Sequence, residues 1–232
     1  MNRQLSGVAP APDSPIGELE VVETPGRRVA AQSFSRSYLN EVCAIAGQLD
    51  DAAIEAMAAA LAGVRDAGGR LFILGAGGGA GHASHAVNDF RKICGIEAYA
   101  PSDNVSELTA RVNDDGWESA YSEWLKISRL APTDAVLIFS VGGGSREPQV
   151  SMSLVSAIEL AKERGSLVLG IVGRADGATA THADHCVVVM GAPAERITPH
   201  TEAFQAVVWH LLVSHPLIAV RQGTWESLSV GP

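Results

Sequence analysis

The sequence predicts an α/β chain, a three-layer, doubly wound parallel sheet of five strands preceded by a pair of helices. Short apolar runs recur with helical or polar stretches between them, and two of these runs end on glycine-rich turns. The composition, 47% hydrophobic but only 5% aromatic over 232 residues, suits one core built from Ala, Val, Leu and Ile.

Residues 1–33 are rich in Pro, Gly and acids, lack periodicity, and read as a flexible arm that is disordered or docks on a neighbour. From 34 to 67 the apolar residues fall at helical spacing: Leu39, Val42, Ile45 and Leu49, then Ile54, Met57, Leu61 and Val64. The break at Asp50-Asp51 divides them into two helices. Strands are predicted at 70–74, 97–100, 135–140, 167–172 and 186–190. An Ala-rich helix at 151–164 ends on Gly165, and a last apolar helix over about 201–213 is stopped by Pro216. The folded domain then spans 34–215, followed by a tail at 216–232.

A net charge of −9, with no basic cluster longer than Arg27-Arg28, argues against nucleic acid and anionic membranes as partners. No apolar run reaches membrane-spanning length, and the first residues lack the apolar middle of a secretory signal. Cys43, Cys94 and Cys186 are isolated in apolar surroundings and read as buried thiols of a reducing compartment, so a cytoplasmic protein is expected.

The segment LFILGAGGGAGHASHAV is a strand, a tight turn through Gly77, Gly78 and Gly79, and a helix start, which together can face backbone N–H groups and a positive helix end toward an anion. It also matches a loose GxGxxA dinucleotide fingerprint, but the next strand ends in Ala98-Tyr99-Ala100 with no acid placed for a ribose. Alternatively the glycines serve only a close strand-to-helix turn. A second turn, VLIFSVGGGSREPQV, leaves a strand at Ser140, crosses Gly142, and is expected to enter a helix past Ser145 and Arg146. The two hydroxyls and the guanidinium can serve phosphate oxygens, or the serines can simply cap that helix. His85 and Asp89, four apart on the helix after the first turn, share one face and can bridge an ion or a substrate, or form a solvated surface pair. His182 and His185, far in sequence from either glycine turn, read as surface or loop residues.

Strand-GxGG-helix followed by strand-SxxGxS-helix resembles the SIS (sugar isomerase) domain, a flavodoxin-like fold, and within it the phosphoheptose isomerases, which interconvert sedoheptulose 7-phosphate and a heptose 7-phosphate. The resemblance covers roughly residues 35–213 and includes DNVSELTARVNDDGWE and ERIT. It implies a phosphate held by the two turns, with Gly79 where the family has a serine and a loop thinner in hydroxyls than the family's STSGNS. It implies His85 on the first helix, with Asp89 matching a glutamate base. Glu202 matches a glutamine and His210 a catalytic histidine, given a short insertion of Pro199-His200-Thr201 and a neighbour after Ile197. Asp89 is then the catalytic base and His210 the acid. Gly77, Gly78, Gly79, Ser140, Gly142, Ser145, Arg146, Asp103, Thr109 and Glu202 contact substrate. His85, Asp89, Glu202 and His210 form a divalent-metal site, most naturally for Zn2+.

Eight residues of regular helix rise roughly 12 Å, which strains joint ligation by Glu202 and His210; the backward lean of the His210 side chain eases it, a helix beginning at or after Glu202 eases it more, and failing both His200 is the substitute ligand. The resemblance further implies a homotetramer with sites between subunits. The expected activity is aldose–ketose isomerisation of a phosphosugar. The alternatives are an isomerase for a different phosphosugar and a non-catalytic sugar-phosphate-binding module.

Overall fold

A computed structural model describes residues 33–223; the arm at 1–32 and the last residues of the tail lie outside that range. Two helices open the fold. Helix α1, Phe34–Ala46, is capped by the Ser33 hydroxyl, and α2, Asp51–Asp66, by the Asp50 carboxylate accepting from the Ala53 N–H. Strand β1, Arg70–Gly75, then leads into α3, Gly78–Lys92, and β2, Glu97–Tyr99. Helices α4, Val105–Asp115, and α5, Ala120–Ile127, precede β3, Ala135–Ser140. The remainder is α6, Met152–Glu163; β4, Leu167–Val172; α7, Ala178–His182; β5, His185–Val188; and α8, Ile197–Ser214. The five predicted strands are all present, each boundary within two residues of expectation.

The sheet is wholly parallel in the order β2-β1-β3-β4-β5. Alternation along each strand divides the core. Leu71, Ile73, Leu137, Phe139, Leu169 and Ile171 pack with α2, α3 and α8 on one face. Phe72, Leu74, Val136, Ile138 and Val168 pack with α5 and α6 on the other. The result is three layers. Chain order reverses between β1 and β3, and that junction is where ligands of such sheets settle, outside the carboxyl ends of the strands. Both glycine-rich turns leave the sheet there.

Four expectations are corrected. The last helix starts at Ile197 rather than near 201, because Pro199 sits in its first turn, where a missing N–H costs nothing. Arg146 is not at a helix start: the helix after β3 begins at Met152, within a residue of its expected 151, and residues 145–150 form a small loop closed by a Ser145–Val150 bridge. The start of the tail, 216–223, docks on the domain: Ile218 is fully buried, and Arg65 donates to the Leu217 and Ile218 carbonyls. Cys43 is exposed, whereas burial pushes the Cys94 thiol up to about 12 and the Cys186 thiol up to about 11. Among the described residues no helix is long and apolar enough to cross a membrane.

Candidate active site

Helix α3 turns Ala83, Ala86, Val87 and Phe90 into the core, an i, i+3/4 stripe that leaves His82, His85 and Asp89 on the flank facing α8. Helix α8 is anchored by Phe204, Val208, Trp209 and Leu212, each almost fully buried and contributing about 1.5–3 kcal/mol of transfer free energy. That anchoring brings His210 to Asp89. The Asp89 Oδ2 atom lies 3.7 Å from His85 Nε2 and 3.9 Å from His210 Nε2, and the three groups place one ligand atom each within 4.8 Å of one another. Asp89 is largely covered at 14% side-chain exposure, while His85 and His210 remain open at 59% and 52%.

The second atoms of His210 and Asp89 are already committed. His210 Nδ1 donates to the Ala206 carbonyl at 2.7 Å, which sets the tautomer and leaves the Nε2 lone pair toward Asp89. Asp89 Oδ1 accepts from the Asn88 amide at 2.8 Å. Trp209 stacks on His210 and meets the His85 ring edgewise at 4.7 Å, restricting both imidazoles.

The donor set fits a divalent metal. Ligands at ~2.0–2.2 Å around a tetrahedral zinc stand ~3.4 Å apart, a few tenths of an ångström inside the two Asp89–histidine separations. Two imidazoles and one carboxylate leave a fourth position open, as catalytic zinc sites do.

Glu202 is not one of the three. With α8 starting at Ile197, Glu202 and His210 point to places about two turns apart, and the Glu202 carboxylate packs against Gly78: a Cβ built there would lie 2.6 Å from Cδ and both oxygens. His200 is not a substitute. It is fully buried, stacked on Tyr38, and its Nε2 meets Glu41 Oε2 at 2.8 Å, while Glu41 also receives two hydrogen bonds from Arg196.

The first turn is shaped by close approach. Gly77 adopts φ +57 and ψ −122, and Gly79 passes so near β3 that a Cβ would lie 2.5 Å from the Phe139 carbonyl oxygen. In the second turn Ser140 Oγ accepts from the Gly143 N–H at 3.0 Å, and the Gly143 and Gly144 carbonyls are taken by N–H groups at the start of α7. A planar trans peptide then aims the Gly144 N–H away from α7.

Two clefts meet at Gly142. One, of about 220 Å³, is lined by Gly79, Ser140, Gly142, Glu202 and Gln205. The other, of about 380 Å³, is lined by Gly142, Gly144, Ser145 and Arg174, with Glu147 and Asp176 at its edge.

Arg146, expected at a helix start, is drawn outward into an ion pair with Glu159 at 2.6 Å. The Ser145 hydroxyl bonds within its own loop, donating to the Glu147 carbonyl. The cation that lines the larger cleft is Arg174, two residues past β4, bonded to Asp176. Sequence reading missed it, although its place just beyond the carboxyl end of a strand was a usable signal. Asp103 accepts from Ser84, the neighbour of His85, while Thr109 spends its hydroxyl on the Val105 carbonyl of its own helix. His182 is exposed and His185 half-buried at the start of β5.

Compared with models of protein families, the chain matches none. It is 33% identical over 190 residues to the lincomycin biosynthesis protein LmbN of Streptomyces lincolnensis, covering 79% of this chain and 69% of that one. It is 30% identical over 177 residues to the phosphoheptose isomerase of Chlorobaculum tepidum, covering 73% and 77%. A solved phosphoheptose isomerase from Francisella tularensis superposes with a TM-score of 0.67 at 21% identity, over 80% of this chain and 94% of that one. Shared sequence with the curated relatives and a shared fold with the solved structure make this chain a member of the sugar isomerase (SIS) family to which the phosphoheptose isomerases belong.

Proposed function

We propose that the protein is an aldose–ketose isomerase of a phosphorylated sugar, with the conversion of sedoheptulose 7-phosphate to a heptose 7-phosphate as the first reaction to test. The observation that carries this reading is the convergence of His85, Asp89 and His210 on one point at the α3–α8 seam. Family membership and the phosphoheptose isomerases among the relatives support it. The catalytic unit is the domain at 34–215.

Asp89 removes the C1 proton of the ketose and returns it to C2, using the carboxylate that α3 holds at the seam. His210 has one exchangeable ring position, Nε2, because Nδ1 is committed to Ala206. Entering as the imidazolium, with a proton on each nitrogen, His210 gives the Nε2 proton to the C2 oxygen as the enediol forms and regains one from the C1 oxygen as the enediol collapses. Protons and electron pairs balance, and no external oxidant is needed. Asp89 is one methylene shorter than the family's glutamate, so the substrate carbon has to approach α3 more closely. His85, Asp89 and His210 would hold a zinc ion, which supplies Lewis-acid stabilisation of a developing oxyanion when bound. With the ion on Nε2, His210 serves as ligand and not as acid.

The phosphate sits at the second turn, on the Gly144 N–H, the Ser140 hydroxyl and Arg174. Helix α3 rises ~16 Å between Gly78 and Asp89, so one chain's turns and its own cluster stand at opposite ends of a helix. Val207 and Leu211, exposed beside His210, offer apolar surface for a second copy. Both features support the homotetramer that the family resemblance implies, with sites assembled between copies.

A binding module without catalysis is the second reading. Its motive is the thin hydroxyl set, since Gly79 offers none and Ser145 bonds within its own loop. Turnover of sedoheptulose 7-phosphate by the zinc-loaded and the chelator-treated protein separates the two. Isomerisation that Arg174→Ala weakens through KM supports the enzyme; phosphosugar binding with no turnover in either state leaves the module.

A further inference from the structure

The position of Glu202 has a consequence for which ligand groups each turn accepts. Its carboxylate lies against the Cα of Gly78, the first residue of α3, and lines the smaller cleft with Gly79 and Ser140. A Cβ at 78 would stand 2.6 Å from the carboxylate, so a side chain there would swing Glu202 away from the turn, and glycine leaves it in place. Among the described residues Glu202 has no ion-pair or hydrogen-bond partner. Nearby, Gln205 is spent on His82 and the Ile171 carbonyl, and the turn itself supplies no hydroxyl. The one negative group at this turn is therefore part of the protein, placed where the positive end of α3 attracts an anion.

We propose that Glu202 is a specificity-determining residue that acts as a built-in anion, closing the Gly77–Gly79 turn to phosphate so that this turn accepts only a hydrogen-bond donor of the ligand, such as a sugar hydroxyl. A second negative group there would face a carboxylate a few ångströms away in a partly covered cleft, where charge repulsion is far stronger than in bulk water. The ligand's orientation follows, with the phosphate toward Arg174 and hydroxyls toward Glu202. This rests on the sugar-phosphate reading above, and the test separates the two.

The probe is inorganic phosphate, measured by titration calorimetry on the full chain. In an Arg174→Ala background, which disables the second-turn seat, adding Glu202→Gln should tighten phosphate binding at least about 10-fold; Glu202→Ala, which removes bulk as well as charge, should do the same. Equal affinity in Arg174→Ala and in both double variants would overturn the proposal. If Arg174→Ala alone leaves wild-type phosphate affinity unchanged, the second-turn seat fails, while the effect of Glu202 is still read from the double variants. Retained zinc binding at the His85–Asp89–His210 cluster serves as the folding control for every variant.

Discussion

A methyl group added at Gly79 would stand 2.5 Å from the carbonyl oxygen of Phe139 and 3.5 Å from that residue's Cβ. The obstacle is backbone in the middle of a parallel sheet, held between β1 and β4, so relief has to come from displacing α3 or β3. Overpacking of this kind costs about 1–3 kcal/mol. For a domain of this size it corresponds to a fall of about 2–12 °C in Tm. Two residues along the same helix, a Cβ at Gly81 meets nothing within 4 Å. Gly81→Ala should therefore stabilise by about 0.5–1 kcal/mol, through lower chain entropy in the unfolded state and better helix propensity. Urea unfolding of Gly79→Ala and Gly81→Ala reads both signs in one experiment. Equal stability of the two variants would refute the close approach of α3 to β3. By the same contact, a serine at 79 would push on the Phe139 carbonyl before it could reach a phosphate.

Two further outcomes are expected. Asp89→Asn should lower zinc affinity at least about 100-fold, since the only anionic ligand is lost, while Glu202→Gln changes it by less than about threefold; calorimetry with Zn2+ measures both. Hydrogen bonds from Arg196 and His200 hold the Glu41 carboxyl below its ordinary range. A depressed carboxyl contributes stability above its unfolded pKa and loses it as pH falls through the folded value. The Tm gap between wild type and Glu41→Gln should therefore be full at pH 7 and close below about pH 4.5, as thermal scans across that window would show.

The sheet was legible because each buried parallel strand is a short continuous apolar run, and Asp50 marked the helix break by the same capping chemistry the structure shows. Arg146 was misplaced at a helix start for a reason the sequence contained: Pro148 disfavours helical backbone at Glu147, so no helix could run through Arg146, and the helix begins only at Met152, close to its expected start. Arg146 then turns out to Glu159, and Arg174 lines the cleft.

In the last helix, Pro199, which the resemblance placed in a short insertion, is a first-turn residue. That shift of the helix start buries His200 against Tyr38 and Glu41 and carries Glu202 away from the seam where His210 meets Asp89. His85, Asp89 and His210 were found from their spacing and their resemblance to a family. Which of the four expected ligands come together depends on how α8 packs against α3, which local pattern does not encode.

The central claim is that Asp89 moves a carbon-bound proton. Its direct measurement is proton NMR of sedoheptulose 7-phosphate in D2O with the chelator-treated protein and with protein held saturated with zinc. Loss of the C1 proton signal with wild type, and its persistence with a folded Asp89→Asn, is the expected result. No exchange with wild type, or exchange undiminished in Asp89→Asn, would contradict it.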